Sequence, residues 1–423
     1  MTATIVEPAR TLRSYRRHLS EGRARLAEMT GALTEVRSEG CRVWDATGRE
    51  FLDCAGYAVF LLGHGHPAVV AAVVDQVRRH ALSTRILLEP AAARAAEALT
   101  AVAPRGLERV HFVGSGAEAV ETAIKLARAH GKRRLVSTGG GYHGKTMGAL
   151  SLTANELYRA PFQPLLAGVR QVPFGDAAAL ERVLADGRDQ CVVVEPVQGE
   201  AGVVIPPPGY LGAVERLCRE YDAFFVLDEV QTGLGRLGRW WGADREGVTP
   251  DVLLVGKALS GGVIPVAAAL ATSAAYAPFS RDPFLHTSTF SAAPVAMAAA
   301  AAAVHAIDSE GLVERARDLG DDLLAQLRGG LLDRYPELVV DVRGVGLLIG
   351  VELCDEHVAG ALVLELLDRG VLVNHSLNAH RVIRLTPPAV FTDADRAWLL
   401  EAFAGATDAV AGRQPSILDS GRC

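Results

Sequence analysis

Between about residue 68 and residue 315, short apolar runs of strand length alternate with segments of helical periodicity. Parallel strands are joined by crossovers of a dozen or more residues, usually helices, and strands buried on both faces read as continuous apolar runs. The alternation therefore predicts an α/β fold with a mainly parallel sheet that is covered by helices on both faces.

Three of the apolar runs are followed by a charge. They are "CVVVEP", "FFVLDE" and "VLLVGK", which reach Glu195, Asp228 and Lys257. The intervals of 33 residues (228 minus 195) and 29 residues (257 minus 228) each leave room for a crossover helix. Right-handed crossovers make the strands parallel, so the three charges are expected at the carboxyl edge of the sheet, where open α/β folds bind ligands. One such strand end usually means only that the chain has reached solvent, so the inference depends on three in succession.

A glycine turn joins a strand to a helix in "VHFVGSGAEAVETAIKLARAHG", residues 110–131. The turn is Gly114–Gly116, and Gly131 is expected to end the helix. The free N–H groups and the dipole of a first helical turn favour an anion, which makes this turn a candidate phosphate site. Taken alone, "GSG" fits an ordinary turn equally well, and Glu118 would oppose an anion there.

A lysine, a carboxylate and a phosphate site at one sheet edge match the needs of pyridoxal 5′-phosphate (PLP). Its aldehyde forms a Schiff base with an amine, its pyridine nitrogen needs an acid, and its phosphate needs hydrogen-bond donors. Lys257, Asp228 and the turn around Ser115 are the candidates for these roles. The segment "GYHG" offers Tyr142 to stack on a ring, with His143 beside it, although Tyr142 also reads as a structural aromatic in a loop.

Composition restricts the class of function. The 423 residues, 49% of them hydrophobic, suffice for a large core and two or three domains. The net charge of −6 comes from intermixed acids and bases without a basic run, which argues against nucleic acid or a membrane as partner. The start of the chain has no long apolar segment and the Ala-rich stretch 296–303 is shorter than a membrane span, so a cytoplasmic location is expected.

The cysteines and histidines predict no metal site. The six cysteines, at positions 41, 54, 191, 218, 354 and 423, include no CxxC pair and are expected to be free thiols. The motif "GHGHP" brings His64 and His66 close together, but the sequence offers no companion Cys/His cluster. A polar turn before a helix is therefore expected there.

The order of these patterns divides the chain into three parts. Residues 1–67 are expected to form an N-terminal segment that packs with the small domain. Residues 68–315 are the predicted large domain, and residues 316–423 the smaller α+β domain, with "LVVDVRGVGLLIGVEL" and "HRVIRLTPP" as strands. A long helix is expected through the 310s and 320s.

Over nearly its whole length the sequence resembles the class III aminotransferases of the fold-type I PLP superfamily. The resemblance is carried by "GHGHPAVV", "FVGSGAEAVETAIKLAR", "GYHGKTMGALS", "EPVQGEAGVVIPPPGYL", "LDEVQTGLGRLG", "PDVLLVGKALSGG", "HTSTF" and "IRLTPP". It implies a large domain with a mainly parallel seven-stranded sheet, plus a smaller α+β domain built from the N- and C-terminal segments.

The resemblance also implies roles for individual residues. Lys257 would be the Schiff-base lysine and proton shuttle, Asp228 the partner of the pyridinium, and Gln231 a contact near the phenolic oxygen of the cofactor. The resemblance places Ser115, Gly116 and Ala117 at the phosphate, and Tyr142, His143 and Glu195 are the other expected cofactor-binding residues.

A homodimer with shared active sites follows from the resemblance as well. In the family, the threonine of the "STF" segment reaches the phosphate of the neighbouring subunit, which here is Thr289. The sequence departs from the family just after it, because Ser291, Ala292 and Ala293 stand where glycine and asparagine commonly precede the proline. This departure puts the hydrogen bonding behind Thr289 in question.

Within the family the sequence resembles most the ornithine and putrescine ω-aminotransferases. Arg384 matches the arginine before the "PP" motif that binds the substrate carboxylate, and Glu200 matches a glutamate that can pair with this arginine. Without the resemblance, Glu200 would read as a solvated acid. Tyr57 is expected to line the substrate pocket.

The implied function is a PLP-dependent ω-aminotransferase with a ping-pong mechanism. A terminal amino group would move between a donor such as ornithine or putrescine and a keto acid such as 2-oxoglutarate. Amination of a pathway-specific aldehyde and another PLP reaction on the same fold, such as an aminomutase, stay open. A non-catalytic relative is disfavoured because Lys257, Asp228 and the phosphate turn are all present.

Overall fold

The computed structural model describes residues 7–413, in which helices and strands alternate through most of the chain. The helices are α1 (Pro8–His18), α2 (Glu21–Met29), α3 (Pro67–Arg79), α4 (Pro90–Ala101), α5 (Gly116–Ala129), α6 (Met147–Leu152), α7 (Glu156–Arg159), α8 (Ala177–Leu184), α9 (Tyr210–Glu220), α10 (Ser273–Arg281), α11 (Pro294–Ser309), α12 (Leu312–Leu327), α13 (Glu356–Asp368) and α14 (Asp393–Gly412). The strands are β1 (Glu35–Glu39), β2 (Arg42–Asp45), β3 (Glu50–Asp53), β4 (Leu107–Val113), β5 (Arg134–Thr138), β6 (Val169–Val172), β7 (Gln190–Val194), β8 (Phe224–Asp228), β9 (Val252–Val255), β10 (Ala267–Thr272), β11 (Val339–Val345), β12 (Leu348–Leu353), β13 (Val371–Leu372), β14 (Asn374–Ser376) and β15 (Ala379–Leu385).

The centre of the fold is a seven-stranded sheet in the order β4-β10-β9-β8-β7-β5-β6. The strands from β9 to β6 pair in parallel, and β10 runs antiparallel to both of its neighbours. The predicted mainly parallel sheet of seven strands is therefore confirmed. The three strands that are followed by charges, β7, β8 and β9, are adjacent and parallel, as their spacing predicted.

Both faces of this sheet are covered, because successive side chains of a strand point to opposite faces. In β8, Phe224 and Val226 belong to an apolar cluster that includes buried residues of α5. Phe225 and Leu227 belong to a second cluster that includes buried residues of α11. All five residues of β8 are consequently buried, which explains why the run reads as continuously apolar until it reaches its acid.

Two four-stranded sheets are formed by the ends of the chain. One has the order β1-β2-β3-β13, and the other has the order β11-β12-β15-β14. The long helix expected through the 310s and 320s is α12, and the two predicted C-terminal strand regions contain β11, β12 and β15. Since β13 pairs in parallel with β3 through Val371 and Leu52, N- and C-terminal segments share a sheet. The division of the chain at residues 67 and 315 stays a prediction.

The cysteines follow the expectation only in part. Cys41, Cys54, Cys191 and Cys218 are free and buried. Cys354 is disulfide-bonded, so the expectation of a free thiol was wrong there. Cysteine pairing depends on the distance between two Cα atoms in the folded chain, which spacing in the sequence does not reveal. Position 423 lies outside the described residues.

The two histidines of "GHGHP" make local contacts before α3. His64 Nε2 lies 2.8 Å from Asp53 Oδ2, and His66 Nε2 lies 3.0 Å from Glu310 Oε1. Each histidine is thus engaged with a single carboxylate, as a polar turn before a helix would be.

No single helix within residues 7–413 is long and apolar enough to cross a membrane. A bent pair, Pro294–Ser309 with Leu312–Leu332, meets the requirement by length and composition only. The first helix of this pair, α11, contributes nine buried residues to the interior of the fold.

Helix α12 is expected to tolerate no side chain at Gly320. A Cβ atom there would overlap the backbone of Gly346, with the Cα only 2.6 Å away. Gly320→Ala should lower the free energy of unfolding by about 1–3 kcal/mol, because the backbone at Gly346 must move away from α12. The matched control is Gly360→Ala in α13, where nothing lies within 4 Å. This change should stabilise the protein by up to about 1 kcal/mol through helix propensity. Denaturant titrations of both variants check the pair, and equal effects would contradict the predicted contact.

Candidate active site

Lys257 lies just beyond β9, at the start of a short 3₁₀ turn, Lys257–Ser260. Its backbone has a φ of 43°, in the left-handed region that side chains rarely adopt. The side chain is partly accessible through a cavity, yet burial lowers the pKa of Lys257 to about 8, against the opposing charge of Glu200. About a tenth of this amine is therefore uncharged at pH 7, far more than of a free lysine, and the uncharged form is the one that reacts as a nucleophile or base.

Asp228 ends β8 and is held by two donors. Its Oδ2 lies 2.7 Å from His143 Nδ1, and its Oδ1 accepts a hydrogen bond from Val230 N at 3.1 Å. Burial alone would lower the pKa of His143, but the hydrogen bond and charge of Asp228 raise it. His143 and Asp228 thus form a buried pair in which the imidazole stabilises the carboxylate. His143 Nε2 is buried and has no hydrogen-bond partner among the described residues.

The glycine turn leads into α5 as predicted. Ser115 is the N-cap and accepts a hydrogen bond from Glu118 N through its Oγ at 3.3 Å. The N–H groups of Gly116 and Ala117 begin the helix and have no carbonyl of a preceding turn to bond. A Cβ at Gly116 would lie 2.7 Å from Val230 Cγ1, so glycine is needed for this close approach.

The acid of this turn is engaged with the turn itself. Glu118 Oε2 accepts hydrogen bonds from Gly114 N at 2.8 Å and from Ser115 Oγ at 3.2 Å. The negative charge that the sequence placed beside the candidate phosphate site is therefore bound to two donors.

Three further predicted cofactor-binding residues lie close to this centre. Burial raises the pKa of Glu195 to about 8, and its Oε2 accepts a hydrogen bond from Tyr142 N at 3.2 Å. Tyr142 is half-buried, and burial raises the pKa of its hydroxyl to about 12, so it is a neutral phenol. Gln231 Nε2 is buried without a hydrogen-bond partner in the part of the chain that the structure describes.

A single cavity of about 260 Å³ collects most of the predicted site residues. Its lining includes Gly116, Ala117, Tyr142, His143, Glu195, Glu200, Asp228, Gln231 and Lys257. Ser115 lines an adjoining cavity that also borders Gly116 and Lys257. The tertiary structure thus brings together residues from separate segments of the sequence, as the strand ends predicted.

Arg384 and Glu200 form a buried ion pair next to this cavity. Arg384 lies on β15 and Glu200 in the segment after β7, and the two side chains contact each other through Arg384 Nη1 and Glu200 Oε1. Burial would raise the pKa of Glu200, but the charges of Arg384 and Lys257 lower it. Because Glu200 is only 3% exposed, its interpretation as a solvated acid is wrong. Glu200 borders the cavity, whereas Arg384 is not among the residues that line it.

Tyr57 stands on the outer side of this ion pair. Its ring centroid is 5.7 Å from the guanidinium carbon of Arg384, and 46% of the residue is exposed. The backbone of Tyr57 has a φ of 50°, a strained conformation for an aromatic residue. Such strain persists only where surrounding structure fixes it, here beside the buried arginine.

Thr289 lies away from the other predicted residues. It is exposed and borders a small surface cavity rather than either cavity at Lys257. The segment behind it is ordered by a hydrogen bond from Ser291 N to Ser288 O at 3.1 Å and by one from Ser291 Oγ to the carbonyl of Phe112. Ala292 has a φ of 54°, so the departure from the family places alanine in a conformation that favours glycine.

Several residues of the cavity lining were not singled out in the sequence, among them Lys145 and Val230. Lys145 follows "GYHG" directly, and its Nζ lies 3.8 Å from the ring centroid of Tyr158. Val230 follows the strand-end acids and packs against the phosphate turn at Gly116. Both border the cavity. Their positions next to predicted residues are the only signal that the sequence carried for them.

The donors and acceptors of this site fit PLP. The cavity presents an amine with a lowered pKa, a buried carboxylate and the free N–H groups of a helix start. His143 Nε2 and Gln231 Nε2 are buried polar atoms without a protein partner among residues 7–413. Such atoms are costly unless a ligand or water satisfies them. The residues present can therefore hold a planar cofactor that carries a phosphate.

Comparisons with known proteins agree with this fit. The family model of the class III aminotransferases matches residues 25–407. The ornithine aminotransferase of Toxoplasma gondii is 31% identical, with a TM-score of 0.89 over 97% of this chain and 96% of that chain. An (S)-enantioselective ω-transaminase of Thermomicrobium roseum is 30% identical, with a TM-score of 0.87 over 95% and 98% of the two chains. A transaminase of the marine bacterium Virgibacillus is 27% identical, with a TM-score of 0.85 over 90% and 94%.

Glu195 is expected to make the folded state more stable at low pH. Its pKa is about 8 when folded, against about 4.3 for a free glutamate. The folded state therefore binds the proton of Glu195 more tightly than the unfolded state does. The unfolding free energy that this protonation contributes is lost as the pH rises from about 4 through 8. Glu195→Gln, which mimics the protonated acid, should show a smaller loss of unfolding free energy between pH 5 and 8.5. Denaturant titrations of the cofactor-free protein measure this, and parallel pH profiles would contradict it.

Proposed function

The chain belongs to the class III aminotransferases, which use pyridoxal phosphate, and on this premise we propose that it is an ω-aminotransferase. In this proposal it transfers the terminal amino group of a donor such as ornithine or putrescine to a keto acid such as 2-oxoglutarate by a ping-pong mechanism. The observation that carries the proposal is the buried ion pair of Glu200 and Arg384 beside Lys257. The similarity to the Toxoplasma gondii ornithine aminotransferase supports it.

The cofactor-binding residues are proposed from the site geometry. When bound, PLP supplies the carbonyl that takes up the amino group and a ring that delocalises negative charge. Asp228, fixed by His143 and Val230 N, would keep a proton on the ring nitrogen. The N–H groups of Gly116 and Ala117 would bind the phosphate, together with the Ser115 hydroxyl once it turns away from Glu118 Oε2.

The remaining contacts orient the ring. Tyr142 would lie against it, and Gln231 Nε2, which is buried and unpartnered among residues 7–413, would donate to its phenolic oxygen. Glu195 supports this arrangement through Tyr142 N and, with a pKa of about 8, adds little negative charge to the cavity near neutral pH.

Lys257 is the proposed base and covalent attachment point. Because burial lowers the pKa of Lys257 to about 8, its Nζ can both take up and return a proton near neutral pH. In each half-reaction it would move the proton at the substrate carbon that bears the amino group. Each half-reaction would remove one proton from carbon and deliver one to carbon, so the amine would end each half-reaction in its starting protonation state.

The ion pair gives a physical basis for two kinds of substrate. While Glu200 is paired with Arg384, the site offers no free guanidinium to a donor that reacts through its terminal amine. A keto acid needs a carboxylate partner, and Arg384 can form a bidentate pair once Glu200 leaves it. Lys145, a second cation at the cavity, would suit the other carboxylate of 2-oxoglutarate. Tyr57 lies over the arginine and would cover the substrate chain.

A homodimer with shared sites is part of the proposal. Thr289 lies outside the cavities of its own chain at Lys257, which suits a residue that serves a neighbouring subunit. Arg85 connects the segment of Thr289 to a second exposed stretch, through a hydrogen bond to Ser291 O at 3.2 Å. That stretch exposes 87% of Ile86 and 101% of Leu88. Exposed apolar residues of this size often mark an interface.

Arg384→Ala should separate the two half-reactions. The variant should lose about 10²-fold or more in kcat/KM for 2-oxoglutarate, because a buried charge-assisted pair is removed. Its rate with putrescine, which has no carboxylate, should change much less. Single-turnover absorbance of the cofactor measures both effects when it is recorded with ornithine, putrescine and alanine as donors and, on the aminated enzyme, with 2-oxoglutarate as acceptor.

The matched control is Arg381→Ala on the same strand. Arg381 is exposed and pairs with Glu352 at 2.5 Å, and Glu352 keeps its second partner, Arg343, when Arg381 is removed. Both half-reactions should keep their rates in this variant. If alanine reacted fast and neither ornithine nor putrescine reacted, the ω-aminotransferase proposal would be refuted. Transfer within one molecule, without a separate acceptor, would favour an aminomutase.

Mixed dimers test the sharing of active sites. If Thr289 serves the neighbouring site, a dimer of one Lys257→Ala subunit and one Thr289→Glu subunit has one site with both defects and one with neither. Random reassociation of equal amounts should then restore about a quarter of wild-type activity, since half of the dimers are mixed. Activity no higher than that of the separate parents, or a fully active monomer by light scattering, would refute the sharing.

A further inference from the structure

Glu200 has a second contact besides Arg384. Its Oε2 accepts a hydrogen bond from Leu377 N at 3.0 Å, while its Oε1 pairs with the arginine. The carbonyl oxygen of Glu200 accepts a further hydrogen bond from Asn378 N at 2.9 Å. Leu377 and Asn378 form the turn between β14 and β15, and Arg384 lies on β15. One hairpin therefore supplies both partners of the Glu200 carboxylate.

The side chain of Asn378 ties this turn to the rest of the site. Its Nδ2 donates to Gly140 O at 3.0 Å, and its Oδ1 accepts from Asn155 Nδ2 at 2.9 Å. Gly140 lies two residues before Tyr142, and Asn155 is the N-cap of α7. The amide of Asn378 thus bridges two segments on the cavity side to the turn that holds Glu200.

We propose that Asn378 is a positioning residue that sets how readily Glu200 releases Arg384, and thereby the balance between carboxylate and amine substrates. The inference rests on the proposed function. A substrate carboxylate can reach Arg384 only after Glu200 has moved. A hydrogen bond made only in the paired state lowers the fraction of molecules with a free arginine, and the apparent affinity for a carboxylate falls by that fraction.

Asn378 acts in this proposal through the position of Leu377 N. Without its bonds to Gly140 O and Asn155 Nδ2, the turn can shift and the hydrogen bond to Glu200 Oε2 weakens. A carboxylate that accepts from a backbone N–H and from an arginine is held more firmly than one with the arginine alone. A merely structural role would change the stability of the fold but leave the balance between the two substrate classes as it is.

The experiment measures glutarate binding to the holoenzyme. Glutarate has two carboxylates but neither an amino nor a keto group, so it reports on the arginine without turnover. Asn378→Ala removes both side-chain bonds, and Asn155→Ser removes one of them but keeps an oxygen that can cap α7. Both variants should bind glutarate about three- to tenfold more tightly, because the paired state is disfavoured. The KM for putrescine should not fall.

Three comparisons separate the outcomes. Asn155→Ala also loses the cap of α7, so a gain equal to that of Asn155→Ser assigns the effect to the bond with Asn378. Unchanged or weaker glutarate binding in both Asn378→Ala and Asn155→Ser overturns the inference. Arg384→Ala should abolish glutarate binding. If it does so while the asparagine variants match the wild type, only the role of Asn378 fails. If Arg384→Ala binds glutarate normally, the proposed role of Arg384 fails first and the inference with it.

Discussion

The parallel pairing of β7, β8 and β9 is the constraint on which the rest of the site depends. The pairs Val194 with Leu227 and Asp228 with Leu254 set the strand ends level with one another. Glu195, Asp228 and Lys257 consequently leave the sheet at one edge, although 62 residues (257 minus 195) separate the first from the last. A one-residue slip of β8 would turn Asp228 toward the other face. The buried apolar side chains on both faces of the strand make such a slip costly.

The charged groups at this edge of the sheet are buried, and their electrostatic interactions with one another are therefore strong. Burial moves the pKa of Lys257 down to about 8 and that of Glu195 up to about 8. The pKa of Glu200 is lowered, because the charges of Arg384 and Lys257 stabilise its carboxylate. Glu195 is therefore close to neutral and Glu200 ionised, although both line the same cavity. The difference arises because two cations, Arg384 and Lys257, lie near Glu200, whereas Glu195 has burial and the charge of Asp228 opposed mainly by His143.

The ends of the chain complete the site rather than merely enclosing it. Arg384 and the turn that holds Glu200 belong to a C-terminal hairpin, whereas Glu200 itself follows a strand of the central sheet. Arg236 strengthens the same junction, since its Nη1 donates to Pro387 O at 2.6 Å. Substrate selectivity in the proposed function thus depends on how the C-terminal sheet is docked. The chemistry proposed for Lys257 depends instead on the central sheet.

The sequence by itself determined the fold class and the chemical centre. Continuous apolar runs, crossover-length intervals and a glycine turn before a helix are local patterns, and each follows from burial or backbone geometry that neighbouring residues dictate. This is why the parallel order of β7, β8 and β9 and the glycine turn before α5 could be predicted. The resemblance added Arg384, Glu200 and Tyr57, which no local pattern would have selected.

Only the tertiary structure decided which of these residues meet and how each is charged. The hydrogen bond of His143 to Asp228, the contact of Leu377 N with Glu200 and the place of Lys145 at the cavity join residues that are distant in sequence or depend on side-chain direction. The disulfide at Cys354 was missed for the same reason. Sequence spacing records separation along the chain, whereas contacts and pKa values depend on distances and burial that exist only after the sheets have packed.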